Sequence, residues 1–348
     1  MRELEPHCEW TADDMRDAAL WTETLTPPEV AEIDAALRVA GATSDDLLEI
    51  GAADFPLPQV SGRIARIKEE LVNGRGVVRL RGIDRGRYDN DEMCVIYWGI
   101  GAHLGRPWAQ NARGHVLGDV TDQGKAPTDP TARGNELGGI PLPFHCDGSD
   151  LVGLMCLDPG AEDGLSRVAN AVSLHNVLVR ERPALAAALY QPLPYDFRGE
   201  QQQGGQPFYQ VPGFTEWGAR LFMRLIPPYI LASQRHADAP RLSDVQREAL
   251  AWIVDTAESG RFNVEMAFEA GDVQFINNYH VMHGRSAYRD RPGKVRHLKR
   301  LWLETDVYET RPPYFVNNLT TGWNEKRVIS RLDAGGRAAA GRGALPRG

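Results

Sequence analysis

The stretch FNVEMAFEAGDVQFINN, Phe262 to Asn278, decides how the chain folds. Phe262, Val264, Met266 and Phe268 alternate strictly with Asn263, Glu265, Ala267 and Glu269, the period of a half-buried β-strand. Gly271-Asp272 turns the chain, and VQFINN continues it as a buried strand. A loop carrying His283 follows, then another strand in VRHLKRLWLE, Val295 to Glu304. Upstream, LVGLMCL (Leu151 to Leu157) and LSRVANAV (Leu165 to Val172) read as short strands, and VVRLRGI (Val77 to Ile83) as a buried one.

Helices fill the spaces between these strands. One starts at Thr26, before Pro27 and Pro28. A second carries Val60, Ile64, Ile67 and Leu71 on one face, and a third runs from near Asn90 to His103. Ser173 reads as the cap of a helix through HNVLVRERPALAAAL. Ser243 and Gln246 form a capping box for another, with Val245, Ala249, Trp252 and Ile253 on its buried face. Strands on both sides of a helical insertion predict a mainly β protein with helical insertions (α+β), built as one barrel or sandwich. Residues 1–332 form one domain in this reading, and the Gly-, Ala- and Arg-rich residues 333–348 a mobile tail.

Apolar residues at 42% and charged residues at 25% are ordinary for a globular chain, and a net charge of −8 without a basic patch argues against nucleic acid as a partner. Cys8, Cys94, Cys146 and Cys156 include no CxxC pair, so neither a zinc ribbon nor a thioredoxin motif is written. The polar N-terminus is no signal peptide, and no apolar run is long enough to span a membrane. A cytoplasmic protein acting on a small molecule is the simplest expectation, with a homo-oligomer left open. Gly105 to Pro143 is rich in Gly, Pro, Asp and Asn; it reads as a long loop that covers a site.

That loop runs into His145-Cys146-Asp147. In an extended segment, residues two apart project to one side, so His145 and Asp147 present an imidazole and a carboxylate together while Cys146 points away. Two histidines and one carboxylate on one face of an octahedron leave open positions, as in non-heme iron(II) oxygenases. An H-x-D tripeptide alone is a weak signal, since a surface turn writes it too. Here it follows the apolar run IPLPF and precedes a buried strand. Of the nine histidines, His280 and His283 follow a buried strand; His283 is favoured because Gly284, Arg285 and Ser286 suggest a tight turn presenting it. His280 reads as a packed or loop histidine, His103 and His175 as structural, and His7, His115 and His236 as solvated.

Arg296, Leu298, Arg300 and Trp302 share one face of the last strand. A buried guanidinium needs an anion, and its fork fits a carboxylate in bidentate fashion. A dicarboxylate cosubstrate supplies one such anion; the alternative is a structural pair with Asp or Glu.

Together PLPFHCDGSD, GLSRVAN, FINNYHVMHGRSAYRD and RHLKRLWLE, with GRGVVRLRGI earlier, resemble the taurine dioxygenase (TauD/TfdA-like) family of 2-oxoglutarate oxygenases, nearest its clavaminate synthase-like branch, over roughly residues 50 to 330. The resemblance implies a double-stranded β-helix, or jelly-roll. It implies iron(II) on His145, Asp147 and His283, with 2-oxoglutarate and dioxygen as cosubstrates. Arg296 then matches the arginine that holds the distal carboxylate of 2-oxoglutarate, and Ser166 the hydroxyl residue that assists it. The family pattern has two glycines before that hydroxyl residue; here Asp163 stands in place of the first. Arg300 matches a position that faces the primary substrate, and Gln110, Asn111, Asn277, Asn278 and Tyr279 are polar candidates for the same pocket. The implied reaction oxidises an aliphatic C–H of a small carboxylate- or amino-acid-like metabolite, most simply by hydroxylation, releasing succinate and carbon dioxide. Asp147 argues against halogenation; desaturation, epoxidation and ring closure stay open. Competing readings are a non-catalytic metal-binding jelly-roll, a zinc hydrolase and a metal-free binding module.

Overall fold

The computed structural model describes residues 1–313, 323–332 and 338–341. Eight strands form the centre. His115–Val120, His297–Glu304, Leu151–Asp158 and Val273–Asn277 lie side by side, antiparallel throughout. Leu142–His145, Val281–Arg285, Ser166–Asn170 and Asn263–Met266 form a second antiparallel sheet of four. The chain passes back and forth between the two sheets, which is the jelly-roll arrangement that the family resemblance implies. The larger sheet is extended on one edge by Val77–Arg81 and Thr22–Thr24, and on the other by Val328–Leu332 and Ala338–Gly341. That last strand falls inside the expected tail; the rest of 333–348 lies outside the described residues.

Alternation sets the faces. Phe262, Met266 and Phe268 are buried while Glu265 and Glu269 are exposed. The outer face of the larger sheet is covered by helices Pro27–Thr43, Ser61–Asn73 and Asn90–Leu104; Ile64, Ile67 and Leu71 of the second of these are buried, as their spacing required. Between the strands 166–170 and 263–266 the chain inserts a separate apolar cluster of helices and two hairpins.

Four expectations are corrected. His115–Val120 is a buried central strand within the supposed loop, and its Asp119 pairs with Lys299 and His297. His115 is therefore buried rather than solvated. The helix placed after Ser173 starts at Ala171, because the Asn170 side chain accepts from Ser173 N–H, and Pro183 divides it in two. Ser243 does cap Asp244–Glu258, with Ala249 and Ile253 buried, but Val245 is exposed.

Candidate metal centre

His283 lies within the strand Val281–Arg285, not on a turn, and its strand register makes it the direct cross-strand partner of His145. Gly284 is there for close approach: a Cβ would stand 2.7 Å from the Leu142 carbonyl oxygen of the neighbouring strand. The two imidazole centroids are 4.3 Å apart. Asp147 follows in the bend after the strand Leu142–His145, while Cys146 turns away into the insertion's apolar cluster. Ligand atoms of His145, Asp147 and His283 all lie within 4.8 Å of one another. Nε2 of His145 is 3.7 Å from Asp147 Oδ1, and Nε2 of His283 is 3.6 Å from Oδ2.

The surroundings fix this geometry. His145 Nδ1 is 2.9 Å from the Pro143 carbonyl oxygen, so Nδ1 carries the proton and Nε2 offers its lone pair. Burial, then the neighbouring His283, lowers the His145 pKa to about 4, which keeps it a neutral ligand at physiological pH. Burial pushes the Asp147 carboxyl up, but its neighbours, the Arg300 guanidinium first, outweigh burial and hold it well below the usual carboxylate range. Oδ2 accepts from Arg300 Nη1 at 3.0 Å and Trp302 Nε1 at 2.8 Å. Asn278 pins the bend: its Oδ1 accepts from Asp147 N–H and its Nδ2 donates to the carbonyls of Asp147 and Ser149.

A cavity of about 300 Å³ opens beside the three groups. Arg296, Leu298, Arg300 and Trp302 line it from one sheet, Ser166 and Arg285 from the other. Arg296 is buried without a carboxylate: Nε reaches the Gly164 carbonyl at 3.2 Å and Nη1 has no partner. Burial, then the nearby Arg285, lowers its pKa to about 10. Ser166 donates to Gln274 Oε1 at 2.9 Å. Asp163 and Gly164 both hold positive φ, 59° and 73°, which accounts for the glycine pattern at this turn. Residues 127–143 form one wall, so part of the expected covering loop does cover the site.

Other expected pocket residues sit elsewhere. Gln110 is buried against Arg300, accepting from its Nε and donating to its carbonyl. Asn277 donates to Tyr308 and accepts from Tyr279 N–H, Tyr279 donates to Asp150, and Asn111 contacts His115. None of these lines the cavity. His280 is packed as expected, 2.9 Å from Glu5. Glu5, Cys8 and His280 also converge, but Glu5 is already engaged by Arg220, Leu221 N–H and His280, and burial pushes the Cys8 thiol up to about 12, so this cluster is a structural tie. Sequence reasoning missed Arg133, Arg198, Arg224, Tyr209 and Tyr229, which the loop and the insertion bring to the cavity. The one signal available was Arg224, a lone charge inside the apolar run LFMRLI.

Residues 40–302 match the family described as "Taurine catabolism dioxygenase TauD, TfdA family". The chain is 29% identical over 309 residues to FR-33289 synthase of Streptomyces rubellomurinus, covering 85% of this chain and 89% of that protein. It is 26% identical over 322 residues to a taurine hydroxylase-like protein of Stachybotrys chartarum, covering 89% and 82%. In fold it is similar to an asparagine oxygenase solved with Fe(II), hydroxyasparagine and succinate (TM-score 0.62, 18% identity, covering 85% of this chain and 98% of that one). It is also similar to the non-heme iron oxygenase OrfP with iron, succinate and (3S)-hydroxy-L-arginine (TM-score 0.61, 19% identity, covering 86% and 99%). No helix among the described residues is long and apolar enough to cross a membrane.

Proposed function

The chain belongs to the taurine catabolism dioxygenase TauD, TfdA family and is an iron- and 2-oxoglutarate-dependent oxygenase, and on that premise we propose that His145, Asp147 and His283 hold its iron(II) and that Arg296, assisted by Ser166, holds its 2-oxoglutarate. The observation that carries this is the convergence of three ligand atoms beside a buried guanidinium that has no anion of its own. The donor set fits the metal: two imidazoles and one carboxylate suit iron(II) and leave coordination positions open.

Bound iron(II) supplies the activation of dioxygen against 2-oxoglutarate, with release of succinate and carbon dioxide and oxidation of an aliphatic C–H. The chain's residues do the rest. Arg300 and Trp302 take one carboxylate oxygen of Asp147 and fix its orientation. Arg296 offers its free Nη1 to a distal carboxylate, and the Ser166 hydroxyl turns to assist. The 127–143 wall and the insertion enclose the cavity on the sides that the two sheets leave open. The substrate is a small carboxylate- or amino-acid-like metabolite, as the hydroxylated amino acids in the two oxygenase structures suggest. Hydroxylation is the simplest outcome; desaturation, epoxidation and ring closure use the same oxidising chemistry. A non-catalytic metal-binding jelly-roll would have no use for the unpaired Arg296.

The test is anaerobic reconstitution. Wild type should bind one iron(II) per chain and form succinate once oxygen is admitted; Asp147→Ala should bind no iron in the site and form none. Full succinate formation by Asp147→Ala would sink the ligand assignment.

A further inference from the structure

We propose that Arg224 anchors an oxyanion on the primary substrate, and that the site reads this anion rather than an ammonium group. This rests on the oxygenase reading above and narrows its substrate.

Charge along the cavity wall is unbalanced. The cavity is lined by three carboxylates, and each is already paired. Asp147 meets Arg300, Glu200 meets Arg133, and Asp196 meets Arg235 at 2.8 Å with His236 beside it. No lining carboxylate is left unpaired to hold a substrate ammonium.

The lining arginines number six, so cations exceed carboxylates by three. Iron(II) and the 2-oxoglutarate dianion cancel and leave that excess standing. Arg133 and Arg300 are the paired ones. Arg285 donates through Nη2 to the carbonyls of Leu137 and Ile140, and its unpartnered Nε and Nη1 lie near Arg296, at the end of the cavity assigned to 2-oxoglutarate. Arg198 donates to the Asp129 carbonyl and lies 5.1 Å over the Tyr229 ring. Arg296 is assigned to 2-oxoglutarate.

Arg224 remains. It is buried, its Nε has no partner, and its Nη2 reaches only the Tyr209 hydroxyl, at 3.3 Å. No carboxylate pairs with it among the described residues. Its backbone is held, N–H to the Gly213 carbonyl and carbonyl to the Tyr195 hydroxyl, and its guanidinium lies 5.5 Å over the Tyr209 ring. Its Nη2 lies 3.6 Å from where a Cβ of Gly148 would be, one residue from Asp147. An anion gripped there places the carbon chain attached to it alongside the metal ligands. A buried, unpaired guanidinium with a free edge is a costly feature unless an anion completes it.

The test uses the anaerobic iron(II)–2-oxoglutarate protein titrated calorimetrically with butanoate, propane-1-sulfonate, propylphosphonate and propylammonium. At least one anion should bind and propylammonium should not; the anion that binds best identifies the head group. Arg224→Gln should weaken that anion at least about tenfold, with Arg224→Lys intermediate because it keeps the charge and loses the fork. Both variants should bind 2-oxoglutarate as the wild type does. Absence of anion binding, preference for propylammonium, or equal anion affinity in Arg224→Gln overturns the proposal. Loss of 2-oxoglutarate binding in both variants also overturns it, by assigning Arg224 to the cosubstrate. Failure of wild type to bind 2-oxoglutarate at all would sink the oxygenase reading as well, a result distinct from the others.

Discussion

Replacing Arg296 by Met should separate affinity for 2-oxoglutarate from stability and move them in opposite directions. The guanidinium is 3% exposed, and no carboxylate neutralises it. The lowering of its pKa to about 10 corresponds to roughly 3 kcal/mol of uncompensated burial. A dicarboxylate recovers that energy on binding. Removing one partner of such a buried charge pair costs about 2–5 kcal/mol, so affinity should fall by roughly thirtyfold to several thousandfold. Without cosubstrate the same replacement deletes an unpaired buried charge and substitutes an apolar side chain of similar length. The melting temperature should then hold or rise. Calorimetric titration of 2-oxoglutarate into the anaerobic iron(II) protein reads the first effect, and thermal unfolding of the cosubstrate-free protein reads the second. Unchanged 2-oxoglutarate affinity would refute the assignment. A collapse of the melting temperature alongside the affinity would show instead that Arg296 holds the sheet together.

Two further outcomes follow from the same geometry. In Gly164→Ala the new Cβ would meet Arg296 Nε at 2.7 Å and Cδ at 2.8 Å at a φ of +73°, so the variant should lose about 1–2 kcal/mol of stability and also bind 2-oxoglutarate more weakly, while iron binding persists; unaltered 2-oxoglutarate affinity would count against it. His115 is buried, and burial, then Arg113, lowers its pKa to about 4, so it stays neutral in the folded chain while the unfolded chain takes up a proton near pH 6.5. Stability from this residue is complete above about pH 6.5 and is lost as pH falls toward 4, up to roughly 3 kcal/mol. His115→Gln should therefore flatten the fall in melting temperature between pH 6.5 and 4.5, and an identical slope would refute this.

What could be read from the sequence was what local period and chemistry encode. The strict alternation from Phe262 to Phe268 placed a strand, and the two-residue spacing of His145 and Asp147 brought their ligand atoms together. The face shared by Arg296, Leu298, Arg300 and Trp302 is the face that lines the cavity. What stayed hidden depends on partners distant in the chain. HVLGDV does not read as a central strand because Gly118 and Asp119 interrupt it. Gly118 makes room for Gln110, whose Oε1 would lie 2.8 Å from a Cβ there, and Asp119 is tolerated because Lys299 and His297 come from the adjacent strand. Gly284 looked like a turn because close packing of neighbouring strands selects the same residue. Residues 190–240 carry hairpins too short to show a period, yet they deliver Tyr209, Arg224 and Tyr229 to the cavity.

Arg300 shows why strand position alone does not assign an anion. Arg296 and Arg300 lie on one face, are both buried, and read alike in the sequence. They differ in what already neutralises them. Arg300 meets Asp147 through Nη1 and Gln110 through Nε, so its fork is spent on orienting a carboxylate of the triad. Arg296 has only a backbone carbonyl for Nε and nothing for Nη1. A guanidinium in the first condition belongs to the scaffold of the site; one in the second is waiting for a ligand. By that criterion Arg300, which lines the cavity, is tied to Asp147, and the anion anchor proposed above is a residue that strand pattern had no means of selecting. Arg224 stands on the insertion rather than the jelly-roll, and it is the remaining arginine of the cavity wall with neither a carboxylate nor a backbone carbonyl to occupy it. On the assignments proposed above, the jelly-roll supplies the groups for metal and cosubstrate, and the insertion supplies the group for the molecule to be oxidised. Selectivity for that molecule can then change with the insertion while the triad and Arg296 stay fixed.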